Sequence, residues 1–110
     1  WRAGDVVELN FGLPVRTVRG NDHIAATAGR VAFERGPIVY CVEDPTRQSV
    51  PDDLVVPATA ALEPAPRPDL LGGVTVLEIR DGAKTTTAIP YFAWDNRGLA
   101  PMAVWLKRGR

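Results

Sequence analysis

Residues 74–89, VTVLEIRDGAKTTTAI, contain the clearest structural signal in this sequence. Val74–Arg80 is rich in apolar and β-branched residues, as is typical of a β-strand. Asp81-Gly82 is a dipeptide that favours a tight hairpin turn. The β-branched run Thr85–Thr87, followed by Ala88-Ile89, then begins a second strand. The stretch therefore predicts a β-hairpin.

Similar short patterns lie on both sides of this hairpin, and turn residues separate them. Residues 38–42 form a continuous apolar run, which is typical of a strand buried on both faces. No stretch combines a helical apolar period with capping residues. The remaining strands are expected at residues 5–11, 14–19, 30–35 and 102–107. About seven short strands predict an all-β fold, an antiparallel β-sandwich of immunoglobulin or jelly-roll-like type.

A proline-rich segment interrupts the strand pattern between residues 44 and 73. It holds six of the ten prolines and ends in Gly72-Gly73. Because proline cannot donate to a ladder, the segment is expected to be a long connection or an edge, with a short edge strand at Leu54–Val56. Connections this long often lie over a partner surface.

Composition and charge exclude several classes of function. The chain has 110 residues, 45% of them hydrophobic, which fits one globular domain. Its 13 basic and 13 acidic residues cancel, so no electrostatic footprint for nucleic acid or for an anionic membrane is expected. The single cysteine, Cys41, precludes an internal disulfide and favours a reducing compartment such as the cytoplasm. The sequence opens without an initiator methionine or signal peptide, which suggests a piece of a longer polypeptide.

Few residues could carry catalysis. His23, the only histidine, lies next to a turn, where an exposed loop residue is expected. Cys41 lies inside an apolar strand, where a cysteine usually behaves as a small hydrophobic residue. The adjacent acid pairs Glu43-Asp44 and Asp52-Asp53 are expected to be solvated, because neighbouring residues of a strand point to opposite faces. No spacing of His, Cys and carboxylate fits a metal site.

The richest polar and aromatic cluster lies between residues 90 and 98, PYFAWDNRG. Pro90 limits the following residues to an edge or to the end of strand pairing. Tyr91, Trp94, Asn96 and Arg97 could form a carbohydrate platform, with the rings stacking on a sugar face and the polar groups binding hydroxyls. In the alternative, Trp94 fills the edge of the core while Asn96 and Arg97 cap a turn or hold a domain interface.

The same segments resemble a known family. Its pattern is matched, in order, by WRAGDVVEL (1–9) with LPVR (13–16), by GRVAFERGPIVYCVE (29–43), and by AIPYFAWDNRG (88–98) with MAVWL (102–106). These blocks span nearly the whole chain. They resemble the C-terminal part of glycoside hydrolase family 127, the β-L-arabinofuranosidase family.

The resemblance implies that the chemistry lies elsewhere in a larger protein. In that family an upstream helical barrel carries a zinc-bound cysteine nucleophile of a retaining mechanism, and that cysteine-rich segment is absent here. Cys41 matches a cysteine of the C-terminal sandwich, so no catalytic residue is carried over and zinc is expected only in the parent's barrel. The resemblance also implies that residues 1–12 are the closing strand of a preceding sandwich module and that residues 13–110 are the C-terminal sandwich.

Three functions follow, in order of preference. The first is a non-catalytic accessory domain that supports its own upstream barrel or a homodimer, through the proline-rich segment and the Trp94–Arg97 turn. The second is a carbohydrate-binding module that uses Tyr91–Arg97 on arabinose-containing oligosaccharides. The third is a stand-alone enzyme that uses Cys41 or His23.

Overall fold

In a computed structural model that describes residues 1–110, the chain folds into nine β-strands and two short 3-10 helices. The expectation of an all-β fold is confirmed, although with nine strands instead of about seven. No helix is long and apolar enough to cross a membrane. The strands are β1 (Val15–Arg19), β2 (Arg30–Arg35), β3 (Ile38–Glu43), β4 (Val55–Val56), β5 (Ala61–Arg67), β6 (Val74–Asp81), β7 (Lys84–Pro90), β8 (Met102–Ala103) and β9 (Leu106–Arg108). The 3-10 helices are Pro51–Asp53 and Tyr91–Ala93.

The strands belong to one curled sheet in the order β4-β9-β2-β3-β7-β6-β5, with β1 paired to β2 and β8 paired to β3. The hairpin expected from residues 74–89 is β6–β7, which pairs from Leu77↔Ala88 to Asp81↔Lys84. The pairing is antiparallel except between β4 and β9. Because β1 and β5 also approach each other, the sheet curls towards a barrel and encloses the main core.

The C-terminal segment fills the place where the β2–β3 hairpin opens. β2 and β3 pair with each other only at the turn end, at Glu34↔Val39 and Arg35↔Ile38. Beyond that point β8 pairs with β3 and β9 pairs with β2, both antiparallel. Since the two hairpin arms run in opposite directions, the segment must reverse between β8 and β9, and it bends at residues 104–105. The single strand expected at 102–107 is therefore two strands.

Residues 40–42 are buried on both faces, as expected, but the expectation for the whole run 38–42 is wrong at its start, because Val39 is 37% exposed and Ile38 is only half-buried next to the β2–β3 turn. On the concave face, Tyr40 and Val42 of β3 join the main core, whereas Cys41 points to the opposite face. The buried residues of the main core are Val31, Phe33, Tyr40, Val42, Val56, Leu77, Ile79, Ala88, Ala103 and Leu106. A second cluster of Cys41, Val76 and Ile89 is covered by loop residues, among them Leu70, Leu71 and Trp94.

The proline-rich segment at 44–73 contains β4 and β5, which lie at the two ends of the strand order. β5 pairs with β6 along its whole length, from Ala61↔Arg80 to Arg67↔Val74. Pro64 and Pro66 are two residues apart, so their missing N–H groups fall on the same side of the strand. Because the other side is paired, that side is the free edge, where proline blocks pairing with another chain.

Residues 1–12 form an N-terminal arm without a strand. Its apolar side chains are all exposed, among them Val7, Leu9 and Phe11. The longest dimension of the molecule is 55 Å and the radius of gyration is 16.2 Å. A compact domain of this length would have a radius of gyration of about 13 Å. The alternation at 5–11 thus finds no partner strand within this chain.

Candidate functional site

The aromatic segment predicted from sequence begins where β7 ends. Pro90 is the last residue of β7 and pairs with Tyr40. The chain then makes one 3-10 turn, closed by the Trp94 N–H donating to the Tyr91 carbonyl at 3.2 Å. Asp95 (φ 64°) and Gly98 (φ 87°) have positive φ angles. The segment therefore turns back sharply over the second cluster instead of continuing the sheet.

Tyr91 and Trp94, the two aromatic residues chosen from sequence, are neighbours, but Trp94 faces the core and Tyr91 is partly exposed to solvent. The ring centroids of Tyr91 and Trp94 are 6.2 Å apart with a 31° angle between planes, within the usual range for aromatic pairs. Trp94 is half-buried against the cluster of Cys41, Val76 and Ile89. Tyr91 is 44% exposed. Trp94 thus fills the edge of the core, and Tyr91 presents the outer part of the pair.

An acidic residue of β3 holds this turn in place. The Glu43 side chain is 0% exposed. Its Oε2 accepts from Nε and Nη2 of Arg97, at 3.2 and 2.9 Å, and its Oε1 accepts from the Asp95 N–H at 2.9 Å. Charge-assisted bonds of this kind are the stronger hydrogen bonds in proteins. We call this set of three bonds the Glu43 clamp.

Asn96, the fourth residue of the predicted site, also bonds inward. Its Nδ2 donates to the carbonyls of Ala93 and Trp94 at 3.1 and 3.2 Å. The structure thus brings Tyr91, Trp94, Asn96 and Arg97 together in one turn. The Asn96 amide N–H donors and the Arg97 Nε and Nη2 donors shape the turn itself, so a sugar hydroxyl would have to compete for these donors.

Two contributors to this region were not found from sequence. Glu43 was expected to be solvated, and this expectation is wrong, because it ends a strand that is buried on both faces. Its position directly after the apolar run 38–42 was the available signal. The neighbouring Asp44 does reach solvent, and hydrogen bonds from Thr46 and Ser49 hold the pKa of its carboxyl well below the usual range. Phe92 was not singled out either, yet it is 71% exposed.

Cys41 and His23, the candidate nucleophile and the candidate base, are not placed for catalysis. Burial of Cys41, together with the nearby Glu43 charge, raises the pKa of its thiol to about 12, so the thiol is protonated at neutral pH. The exposed His23 makes no side-chain hydrogen bond; only its backbone N–H bonds, to Asn21 Oδ1 at 2.9 Å. No group of three or more His, Cys, Asp or Glu side chains is placed to hold a metal ion.

Comparison with known proteins gives one family. The glycoside hydrolase family 127 C-terminal domain matches residues 15–107. A non-reducing end β-L-arabinofuranosidase from Bifidobacterium longum is 33% identical over 138 aligned positions, which cover 96% of this chain and 20% of that protein.

Several solved structures are similar, among them two GH127 proteins. One is a GH127 β-L-arabinofuranosidase from Geobacillus stearothermophilus T6, with 34% identity, a TM-score of 0.75, and coverage of 88% of this chain and 18% of that one. The other, a GH127 β-arabinofuranosidase, has 36% identity, a TM-score of 0.79, and coverage of 99% and 19%. The chain spans about a fifth of the length of these relatives.

Proposed function

Since this chain belongs to the glycoside hydrolase family 127 C-terminal domain, we propose that it is the non-catalytic accessory domain of a larger β-L-arabinofuranosidase-like hydrolase. The match over residues 15–107 carries the proposal. The relatives are named as arabinofuranosidases and are about five times longer, which supports placing the chemistry outside this chain. The buried, protonated thiol of Cys41 supports a structural role for the one cysteine.

The accessory role that we propose is to support the upstream barrel, in which a zinc ion is expected, or to support a dimer of the parent. Two surfaces suit such contacts. One is the turn at Tyr91–Arg97, where Tyr91 is partly exposed over a turn fixed by the Glu43 clamp. The other is the proline-rich segment 44–73, whose free β5 edge cannot extend the sheet and so leaves side chains as its means of contact.

An activity assay is the first test of this proposal. A longer polypeptide that extends upstream through the natural gene is expected to hydrolyse aryl β-L-arabinofuranosides and to lose activity when zinc is chelated. Residues 1–110 alone are expected to be inert in the same assay, because no nucleophile and acid–base pair face each other here. Hydrolysis by residues 1–110 alone would contradict the proposal, as would a gene with no upstream barrel.

The N-terminal arm has a separate role in the proposal. We propose that residues 1–12 complete a sheet of the preceding module of the parent, so that the C-terminal sandwich comprises residues 13–110. The family match begins at residue 15, whereas the similarity to one solved GH127 structure covers 99% of the chain and so includes most of the arm. Val7, Leu9 and Phe11 alternate along the arm, and a strand would place them on one face of such a sheet.

Shortening the chain to residues 13–110 tests this division. The thermal midpoint is expected to stay within about 2 °C of that of residues 1–110, because the arm adds no packed contact to the domain. Self-association measured by sedimentation velocity is expected to fall, because exposed apolar residues favour association. A large loss of thermal stability on shortening would show instead that the arm belongs to this domain.

A further inference from the structure

An open apolar groove of about 370 Å³ lies beside the turn at 91–96. Leu71, Phe92, Ala93 and Asn96 line it. One wall is the 3-10 helix that carries Phe92, and the other is the loop before β6 that carries Leu71. With 71% of its surface exposed, Phe92 is the largest apolar group at the groove. Burial of a phenylalanine side chain is worth roughly 1.5–3 kcal/mol, so the groove offers a substantial anchor.

Both walls are held in place before any partner arrives. Leu71 (φ 50°), Gly72 (φ 77°) and Gly73 (φ 99°) take positive φ angles in succession, and the Gly73 N–H donates to the Leu70 carbonyl at 2.8 Å. The side chains of Leu70 and Leu71 pack on the second cluster, which Trp94 also covers. On the opposite wall, the Glu43 clamp and the Asn96 amide fix the turn. A preformed groove loses little conformational entropy on binding.

The chemistry of the groove fits a protein side chain better than a sugar. Three of the four lining residues are apolar. The Asn96 donors bond to Ala93 and Trp94, and the Arg97 guanidinium bonds to Glu43. A sugar site needs several free, convergent polar groups around its apolar faces. The centre of a protein interface is instead depleted in charged residues and enriched in aromatic ones.

We infer that the Leu71–Phe92 groove receives an apolar side chain from the upstream part of the same polypeptide. The inference rests on the proposed accessory role and names its point of contact. The relatives that match this chain are about five times its length, and in a parent of that size most of the polypeptide would lie upstream and be tethered to this domain. Tethering gives such a segment a high effective concentration at the groove, in contrast with a second copy or a free ligand.

A photocrosslinking residue at position 92 of the longer polypeptide tests the contact. Benzoylphenylalanine replaces Phe92 with a similar aromatic side chain, and irradiation followed by peptide mass spectrometry identifies what lies within reach. We expect crosslinks within one polypeptide to residues upstream of Trp1. The matched control carries the probe at Ile24, an apolar residue of the β1–β2 connection that is also exposed, and we expect fewer upstream crosslinks there.

The remaining outcomes overturn the inference. Crosslinks that join two polypeptides would assign the groove to a dimer contact. Crosslinks to an added arabinose-containing oligosaccharide, with none to protein in its absence, would assign the groove to sugar. If the yield of crosslinks to upstream residues is no higher from position 92 than from position 24, the groove is not a contact site for the upstream polypeptide. In each case, an active longer polypeptide that depends on this domain for stability would still uphold the accessory role.

Discussion

Replacing Glu43 with alanine is expected to lower the free energy of unfolding of this domain by about 2–3 kcal/mol. The substitution leaves the Arg97 guanidinium without its buried carboxylate partner and removes the acceptor of the Asp95 N–H. Full burial of both partners would raise the loss to about 3–5 kcal/mol. The Arg97 side chain is 30% exposed, so water partly replaces the lost bonds and reduces the effect.

Urea unfolding at neutral pH measures this loss, and two further variants identify its cause. Glu43→Gln keeps an acceptor for the Asp95 N–H but loses the charge, so we expect a smaller loss than with alanine. Glu63→Ala removes an exposed partner of Arg80, for which we expect a loss below about 1 kcal/mol. Equal losses for Glu43→Ala and Glu63→Ala would mean that the Glu43 clamp does not hold the turn.

The hairpin at 74–89 was predictable because its signals are local. The turn pair Asp81-Gly82 and the β-branched residues that follow it act within a few positions of one another. In the structure Asp81 pairs with Lys84, and Gly82 takes the positive φ that the turn requires. The uninterrupted apolar run 38–42 likewise predicted burial on both faces, which holds for residues 40–42 but not for Val39, which is exposed near the turn.

The strands that sequence reasoning missed depend on distant partners. β5 contains two prolines, and their count argued against a strand. The spacing of Pro64 and Pro66 matters more than their number, because it leaves one side of the strand free to pair with β6. The reversal at residues 104–105 is invisible in the alternation of Met102–Lys107. It follows from the opening of the β2–β3 hairpin, which involves residues about 60–75 positions away.

In the candidate site, too, the local features were predictable from sequence and the contacts with distant residues were not. The sequence pointed to Tyr91, Trp94, Asn96 and Arg97, and the structure places them in one turn. Which way each side chain points was not predictable, since Arg97 bonds to a carboxylate 54 positions earlier in the chain. Whether these residues contact a partner domain remains a prediction, and the groove beside Phe92 gives that prediction a defined location.

Removing residues 13–110 from the longer polypeptide is expected to destabilise what remains. If this domain covers apolar surface on its neighbours, its loss exposes that surface to water, at about 25 cal/mol for each Å². Interfaces between domains bury about 600–1,500 Å², so we expect the thermal midpoint to fall by at least several degrees, with a poorer soluble yield. The reacting groups lie outside this domain in the proposal, so the chemical step itself should be little affected.

The most direct test of the accessory role therefore combines two measurements, one of stability and one of activity. The thermal midpoint and the kcat on an aryl β-L-arabinofuranoside are determined for the longer polypeptide with and without residues 13–110. The account predicts a lower midpoint on removal, while the kcat of the folded fraction stays within about threefold, a barrier change below about 1 kcal/mol. An unchanged midpoint, with activity lost only on arabinose-containing oligosaccharides, would contradict the accessory role and assign the domain to substrate binding.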